Sequence, residues 1–551
     1  MHSKIIIYQV LPRLFGNTND RCIPNSSLKQ NGSGKLNDFT EDILLSIKDL
    51  GCTHIWFTGV IEHATQSSFE KYGIAGNHPE IVKGIAGSPY SITDYYDIAP
   101  SLSVNIDDRL TEFKGLVERC HKCDLFVIID FVPNHISREY SSDAAPSGVV
   151  DFGVNDKSDY QFHPMNNFFY LPGTQFQSPV KSGVSGRYHE FPARVSGNDC
   201  ITHSPGNDDW YETVKLNYGY DFYTGKEYYN PIPDTWHKMR HIVNFWLSQG
   251  VDGFRCDMAA MVPVNFWNWL INSVKLNFPT ALFIAEIYEP EKYSLYLNEG
   301  KFDYLYDKVG LYDTLKGIIR KEKSASSISQ CWQAVSGFEE KMLNFIENHD
   351  EVRVASDYFA GDPYAAIPAV AAALLLNRSP FLLYFGQELG ERGMESEGYS
   401  GKDGKTSIFD YWSVSSVRDW LKGNSSPEIR NIYKRLLNIS IDEESVGKGL
   451  KFDIQYFNEK SEDYDPSVHF SFFRKSETHL LLIVLNFSDK ESNIGLNIPG
   501  ELFSYFKMKE YELCQGYDLM TGESFETKLT PTSKIYLKIQ KQGVKIIKLS
   551  L

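Results

Sequence analysis

Four segments of this chain end an apolar run on groups that could handle protons or bind hydroxyls: Asp130-Phe131-Val132-Pro133-Asn134-His135, Gly253-Phe254-Arg255-Cys256-Asp257, Ile284-Ala285-Glu286 and Ile346-Glu347-Asn348-His349-Asp350. Asp257, Glu286 and Asp350 close three different runs. Cleaving a glycosidic bond needs one carboxylic acid to protonate the leaving oxygen. It needs a second carboxylate to attack the anomeric carbon or to activate water there. Arg255 stands two residues before Asp257, on the same face of an extended strand, where charge pairing would hold Asp257 ionised and leave Glu286 to carry the proton. His135, Arg255 and His349 are then available for sugar hydroxyls. Taken singly, an acid at a strand end more often caps the next helix or forms a structural ion pair. The order and shared context of four such segments carry the chemical reading.

To converge, these groups need a scaffold that brings several strand ends to one face. Up to about residue 430, short β-branched or aromatic runs alternate with amphipathic stretches, the pattern of parallel βα units. Thr40 can cap a helix whose Ile43, Leu44, Ile47 and Leu50 share one side, and Gly51 ends it. Two further helical stripes run through Leu110, Phe113, Leu116, Val117 and Cys120, and through Trp236, Met239, Ile242, Val243, Trp246 and Leu247. Candidate strands are Ile5 to Leu11, Thr53 to Thr58, Leu125 to Phe131, Val251 to Asp257, Ala281 to Glu286, Phe302 to Tyr306, Leu343 to Ile346 and Phe381 to Phe385. Eight strands suit an α/β fold of the closed (β/α)8 TIM-barrel type, whose active groups sit at the C-terminal strand ends. Residues 132–217, rich in Gly, Ser, Asn, Pro and aromatics, are too long for an ordinary βα connection and read as an excursion domain after the third strand. Beyond about 440, alternating runs at Val468 to Phe473, Leu480 to Phe487 and Lys534 to Ile539 predict a C-terminal antiparallel β-sandwich. The expected division is 1–131 and 218–440 for the barrel, 132–217 for the excursion and 441–551 for the sandwich.

Composition narrows the partners. The 551 residues carry a formal net charge of −16 and no basic run, which disfavours nucleic acid and anionic lipid. The apolar stretch Ala365 to Leu376 contains Pro368 and is too short to span a bilayer, and the N-terminal run lacks the plan of a signal peptide. No membrane partner and a cytoplasmic location are the expectations. Eight scattered cysteines, including the lone pair Cys120 and Cys123, read as reduced thiols.

In order, spacing and wording the four segments resemble the four sequence regions of the α-amylase family of retaining glycoside hydrolases. The resemblance extends over essentially the whole chain: barrel, excursion domain and C-terminal sandwich. It implies that Asp257 is the nucleophile forming a covalent glycosyl-enzyme. Glu286 would be the general acid that later serves as base, and Asp350 the third carboxylate, gripping the distorted sugar. It further implies that His135, Arg255, His349 and Arg353 line the reacting subsite, with Tyr90 of Gly87-Ser88-Pro89-Tyr90 as the aromatic platform beneath the sugar. The substrate implied is a starch-like α-1,4-glucan or maltooligosaccharide.

The departures matter as well. Many family members hold calcium with the asparagine matching Asn134 and an aspartate before the fourth strand; here Val214-Lys215-Leu216-Asn217 puts Lys215 in the aspartate's place. This departure from the family pattern leads to the expectation of no cofactor, with the Lys215 ammonium bonding Asn134 or a nearby carbonyl in the ion's stead. Ala260 and Met261 replace a Lys-His pair that touches sugars beyond the cleavage point, which suits short oligosaccharides. Gly87 stands where exo-acting relatives often have an aspartate, which leans toward cleavage of internal bonds. Cys256 should point away from the nucleophile's face, and Glu388 reads as a structural hydrogen-bonding group. Nothing assigns a role to His63, Asp94 or Asp97. Two other functions stay open: a transglycosylase using the same intermediate, and a sugar-binding homologue without turnover.

Overall fold

The computed structural model describes residues 4–183, 186–425, 427–531 and 533–551. Eight strands close into one parallel barrel in sequence order: β1 Ile6–Val10, β2 His54–Phe57, β3 Phe126–Phe131, β4 Gly253–Cys256, β5 Leu282–Ala285, β6 Tyr304–Tyr306, β7 Met342–Phe345 and β8 Phe381–Tyr384. Seven of the eight expected runs are four residues or longer at their core. They form strands because helices cover the outside and side chains fill the inside, so both faces reward apolar residues. The three predicted helices form as α1 Glu41–Asp49, α2 Arg109–Lys122 and α3 Asp234–Ser248. Thr40 caps α1 by accepting a hydrogen bond from the Ile43 N–H, and the stripe from Trp236 to Leu247 is the buried side of α3.

Between β3 and α3 the chain makes small antiparallel pairs, His135–Ser137 with Thr213–Lys215 and Tyr170–Leu171 with Ala193–Arg194. A separate apolar core here is small: Phe176, Ala193 and Tyr211 gather on Ile81 from the loop after β2. Buried charge supplements it. Glu190 lies 2.7 Å from both Arg138 and Arg194.

The C-terminal part is a six-stranded antiparallel sheet facing a two-stranded pair. Its strands are β9 Leu450–Asp453, β10 His469–Lys475, β11 His479–Asn486, β12 Ser492–Asn497, β13 Tyr511–Asp518, β14 Ser524–Leu529, β15 Lys534–Ile539 and β16 Gly543–Ser550, with β12 and β15 forming the pair. Along β11, Leu480, Leu482 and Val484 point into the sandwich core with Ile494 and Leu537. Leu481, Ile483 and Leu485 belong instead to the barrel's core. That double burial explains a continuous apolar run where a half-exposed strand would alternate. The helix α4 Ile367–Leu375, apolar on every side, packs in this seam against β11 and β16. Among the described residues no helix is long and apolar enough to cross a membrane.

Candidate active site

Strand register assembles the site. Arg255 of β4 is paired with Asp130 of β3 and with Ile284 of β5, and Asp257 and Glu286 follow one residue beyond their strands. The Asp257 N–H donates to the Phe131 carbonyl at 2.9 Å and the Glu286 N–H to the Cys256 carbonyl at 3.1 Å, so the ladder continues up to both acids. Arg255 is buried at the centre of the cluster. Its Nη1 lies 2.7 Å from Asp257 Oδ1 and 3.4 Å from Asp130 Oδ1, its Nη2 lies 2.7 Å from Glu286 Oε1, and its Nε donates to the Tyr306 hydroxyl at 3.2 Å. The rings of Trp56, Tyr90 and Tyr306 stand 5.5, 5.3 and 5.6 Å from the guanidinium, a cation–π enclosure.

This corrects one expectation: Arg255 does not keep Asp257 in the ordinary carboxylate range, because β5 delivers Glu286 to the same guanidinium and the cation is shared. Three buried carboxylates thus share one cation. Burial pushes the Asp257 carboxyl well above the usual range, Arg255 opposes the rise, and Glu286 and Asp130 add to it. Asp130 is raised to about 7 by burial against the pull of Arg255 and of the Trp56 indole N–H, which donates to it at 3.1 Å. A cluster with this charge balance holds a proton near neutrality. The other Asp257 oxygen, Oδ2, is buried and has no hydrogen-bond partner among the described residues.

Glu286 is fixed at both oxygens. The Tyr288 hydroxyl donates to Oε1 at 2.6 Å and the Met258 N–H to Oε2 at 2.8 Å. Met258, directly after Asp257, has φ +43°, the left-handed region that a non-glycine residue adopts at a cost, and its N–H is the one that meets Glu286.

Opposite these acids, His349 stacks on Tyr90 with ring centroids 5.4 Å apart. The Gln9 amide lies 2.8 Å from His349 Nδ1, and with that amide donating, the ring proton sits on Nε2, which meets the Tyr90 hydroxyl and lies 3.3 Å from Asp350 Oδ2. Burial lowers the His349 pKa to about 3, with Arg255 acting the same way, so the ring is neutral. His135 is likewise lowered to about 3, by burial and then by Lys215 and Lys83. Its ring packs on Trp210 at 5.0 Å. Asp257, Glu286, Asp350, Tyr90, His135 and His349 all line one cavity of about 590 Å³, a size typical of ligand pockets.

Arg353 is not part of that wall, which corrects its expected role. Its side chain is fully buried and points inward, donating to Glu347 Oε2 and the Phe385 carbonyl at 2.9 Å and to Thr406 Oγ1 at 3.0 Å. It braces the β7 and β8 loops. Conversely, Trp56, Trp210, Tyr288 and Tyr306 belong to the site although the sequence reading did not single them out. Tyr306 closes β6 as the acids close their strands, and Tyr288 follows Glu286 by two, so both carried a positional signal.

Lys215 lies at the seam between barrel and excursion. Its ammonium donates to Asn134 Oδ1, to the Met261 carbonyl at 3.2 Å and to Asp199 Oδ1 at 2.7 Å. Oxygens from three segments thus converge on a cation that the chain supplies itself. No group of three or more His, Cys, Asp or Glu suited to a metal occurs among the described residues. The remaining polar groups are structural: Glu388 accepts from the Tyr8 hydroxyl at 2.7 Å, His63 bonds Arg13 at 3.1 Å, Asp94 accepts from the Tyr96 N–H at 2.8 Å and Asp97 pairs with Arg109. Cys256 is buried, and burial pushes its thiol up, away from reactivity.

Comparison with known proteins agrees with this architecture. The family description "Alpha amylase, catalytic domain" matches residues 9–438. The chain is 24% identical over 387 residues to Alpha-amylase 3 of Dictyoglomus thermophilum, covering 65% of this chain and 68% of that one. It is 21% identical over 535 residues to a cyclomaltodextrinase of Thermoanaerobacter pseudethanolicus, covering 92% and 74%. The fold is similar to that of a maltogenic alpha-amylase, AmyB, from Thermotoga neapolitana, with a TM-score of 0.63, 19% identity and coverage of 100% and 99%. With its barrel, its convergent acids and a match that spans most of its length, the chain belongs to the α-amylase family of glycoside hydrolases.

Proposed function

We propose that the protein hydrolyses α-1,4-glucosidic bonds of maltooligosaccharides or starch-like glucans with retention of anomeric configuration and without a metal ion. The observation that carries this reading is the sharing of Arg255 by Asp257 and Glu286 at the rim of one cavity. Two carboxyl groups on the two Nη atoms of one guanidinium are close neighbours, which suits a retaining pair at about 5 Å better than an inverting pair that must admit water.

In this mechanism Asp257 Oδ2, the oxygen without a partner, attacks the anomeric carbon while Arg255 steadies Oδ1. Glu286, as the general acid, gives a proton to the departing glycosidic oxygen. Water then enters on that side, gives its proton to Glu286 and displaces Asp257, so two inversions give net retention. Neutral His349 and His135 offer hydrogen bonds to sugar hydroxyls without adding charge, and Tyr90 supplies an aromatic face. Asp350, half-exposed at the rim, is placed to accept from hydroxyls of the distorted ring. Lys215 supplies the positive charge between barrel and excursion that would otherwise call for an ion.

The test is to follow maltoheptaose cleavage by chromatography and by NMR of the new reducing end, with chelator present. Release of α-anomers, abolished by Asp257→Asn with sugar binding retained, is expected. β-Anomers as first products, or an Asp257→Asn protein as active as the parent, would refute it.

A further inference from the structure

The cavity has two distinct ends, and the proposed chemistry orients them. Because Glu286 protonates the leaving oxygen, the leaving portion of the glucan lies on its side, along Met258, Tyr288 and Val309. The retained portion extends the other way, past Tyr90 and His135 toward Lys83, Trp210 and Phe409.

At that end three loops meet. Lys83 Nζ lies 3.1 Å from Glu212 Oε1 and 3.3 Å from the Asp209 carbonyl, and it sits over the Tyr211 ring at 5.2 Å. The Ala86 N–H donates to the Phe409 carbonyl at 3.0 Å. The Tyr399 ring packs on Phe409 at 4.9 Å. The approach is tight: a Cβ on Gly84, at φ +71°, would stand 2.3 Å from the Phe409 carbonyl oxygen. So the loop after β2, the excursion and the loop after β8 are stitched together beyond the reacting subsite.

We infer that this three-loop junction blocks the donor end of the cavity, so that the enzyme acts from the non-reducing end of a glucan and removes a short saccharide of fixed length. The inference rests on the function proposed above and adds the mode of attack. It runs against the leaning toward internal cleavage drawn from Gly87. That glycine has φ +80°, and a Cβ there would lie 1.6 Å from the Ala64 carbonyl oxygen, so the backbone itself demands glycine and the missing aspartate carries no information about mode.

Two maltoheptaoses decide the matter, one labelled at its reducing end and one with its non-reducing end blocked by an acetal. The expected result is a labelled product shortened by one constant step at early times, with the blocked substrate cut at least tenfold more slowly. Tyr399→Ala, which loosens the junction outside the cavity wall, should raise the rate on the blocked substrate relative to the free one at least fivefold. Labelled products of many lengths from the outset, with the blocked substrate cut equally well, would overturn the inference while leaving the hydrolytic reading intact. No cleavage of either substrate would remove both.

Discussion

The Tyr288 hydroxyl donates to Glu286 Oε1 at 2.6 Å, while the Met258 N–H holds Oε2 at 2.8 Å, so the proposed acid/base is gripped from both sides by the loops after β4 and β5. Tyr288 also lines the cavity on the leaving-group side. A hydrogen bond to a charged group contributes about 1.5–3 kcal/mol. If that bond orients Glu286 in the transition state, Tyr288→Phe lowers kcat about tenfold to a hundredfold with little change in KM or melting temperature. Steady-state kinetics on maltoheptaose check this. A rise in KM at unchanged kcat would make Tyr288 a substrate contact rather than a positioning residue.

What could be read from the sequence follows physical lines. The barrel strands were legible because each is a short apolar run, and those that carry the acids end on a polar residue, as Gly253 to Asp257 does. The helices were legible from their stripes. The sharing of Arg255 was not, because it depends on the height at which β5 delivers Glu286, and a single strand's alternation says nothing about its neighbour's register. Arg353 misled for a related reason. It follows Asp350 by only three residues, yet its N–H bonds the Gly404 carbonyl and its side chain turns inward. Trp210 lies on an irregular excursion loop, where no periodicity marks which way a ring faces.

Lys215 gives a second prediction. Removing its ammonium by Lys215→Ala leaves Asn134 Oδ1 and the Met261 carbonyl without their donor in a buried seam. Asp199 is about half-exposed and regains water, so the cost falls below that of breaking a fully buried pair, at about 2–3 kcal/mol. The melting temperature should drop accordingly, while the parent protein melts at the same temperature with chelator as with calcium. Loss of parental activity on chelation, restored by calcium, would show that a metal is required after all.

Asp130 makes stability and pH interdependent in a way that can be isolated. Its carboxyl is raised to about 7 in the folded protein, against an ordinary value of about 4 when unfolded. A raised carboxyl stabilises the fold below its unfolded pKa, and that contribution is lost as pH rises through the folded value. Asn cannot ionise, so Asp130→Asn should gain on the parent as pH goes from 5 to 8, by about 2.6 kcal/mol in all, most of it at about 1.4 kcal/mol per unit between pH 5 and 7, where the folded carboxyl stays protonated. Any fixed cost of the amide, such as a poorer partner for the Trp56 indole, shifts both ends equally and drops out of the difference. Urea denaturation of both proteins at pH 5, 6, 7 and 8 measures it. Parallel stability curves would mean that Asp130 is already ionised at pH 5, held so by Arg255, and that the cluster's proton resides elsewhere, on Asp257 or Glu286.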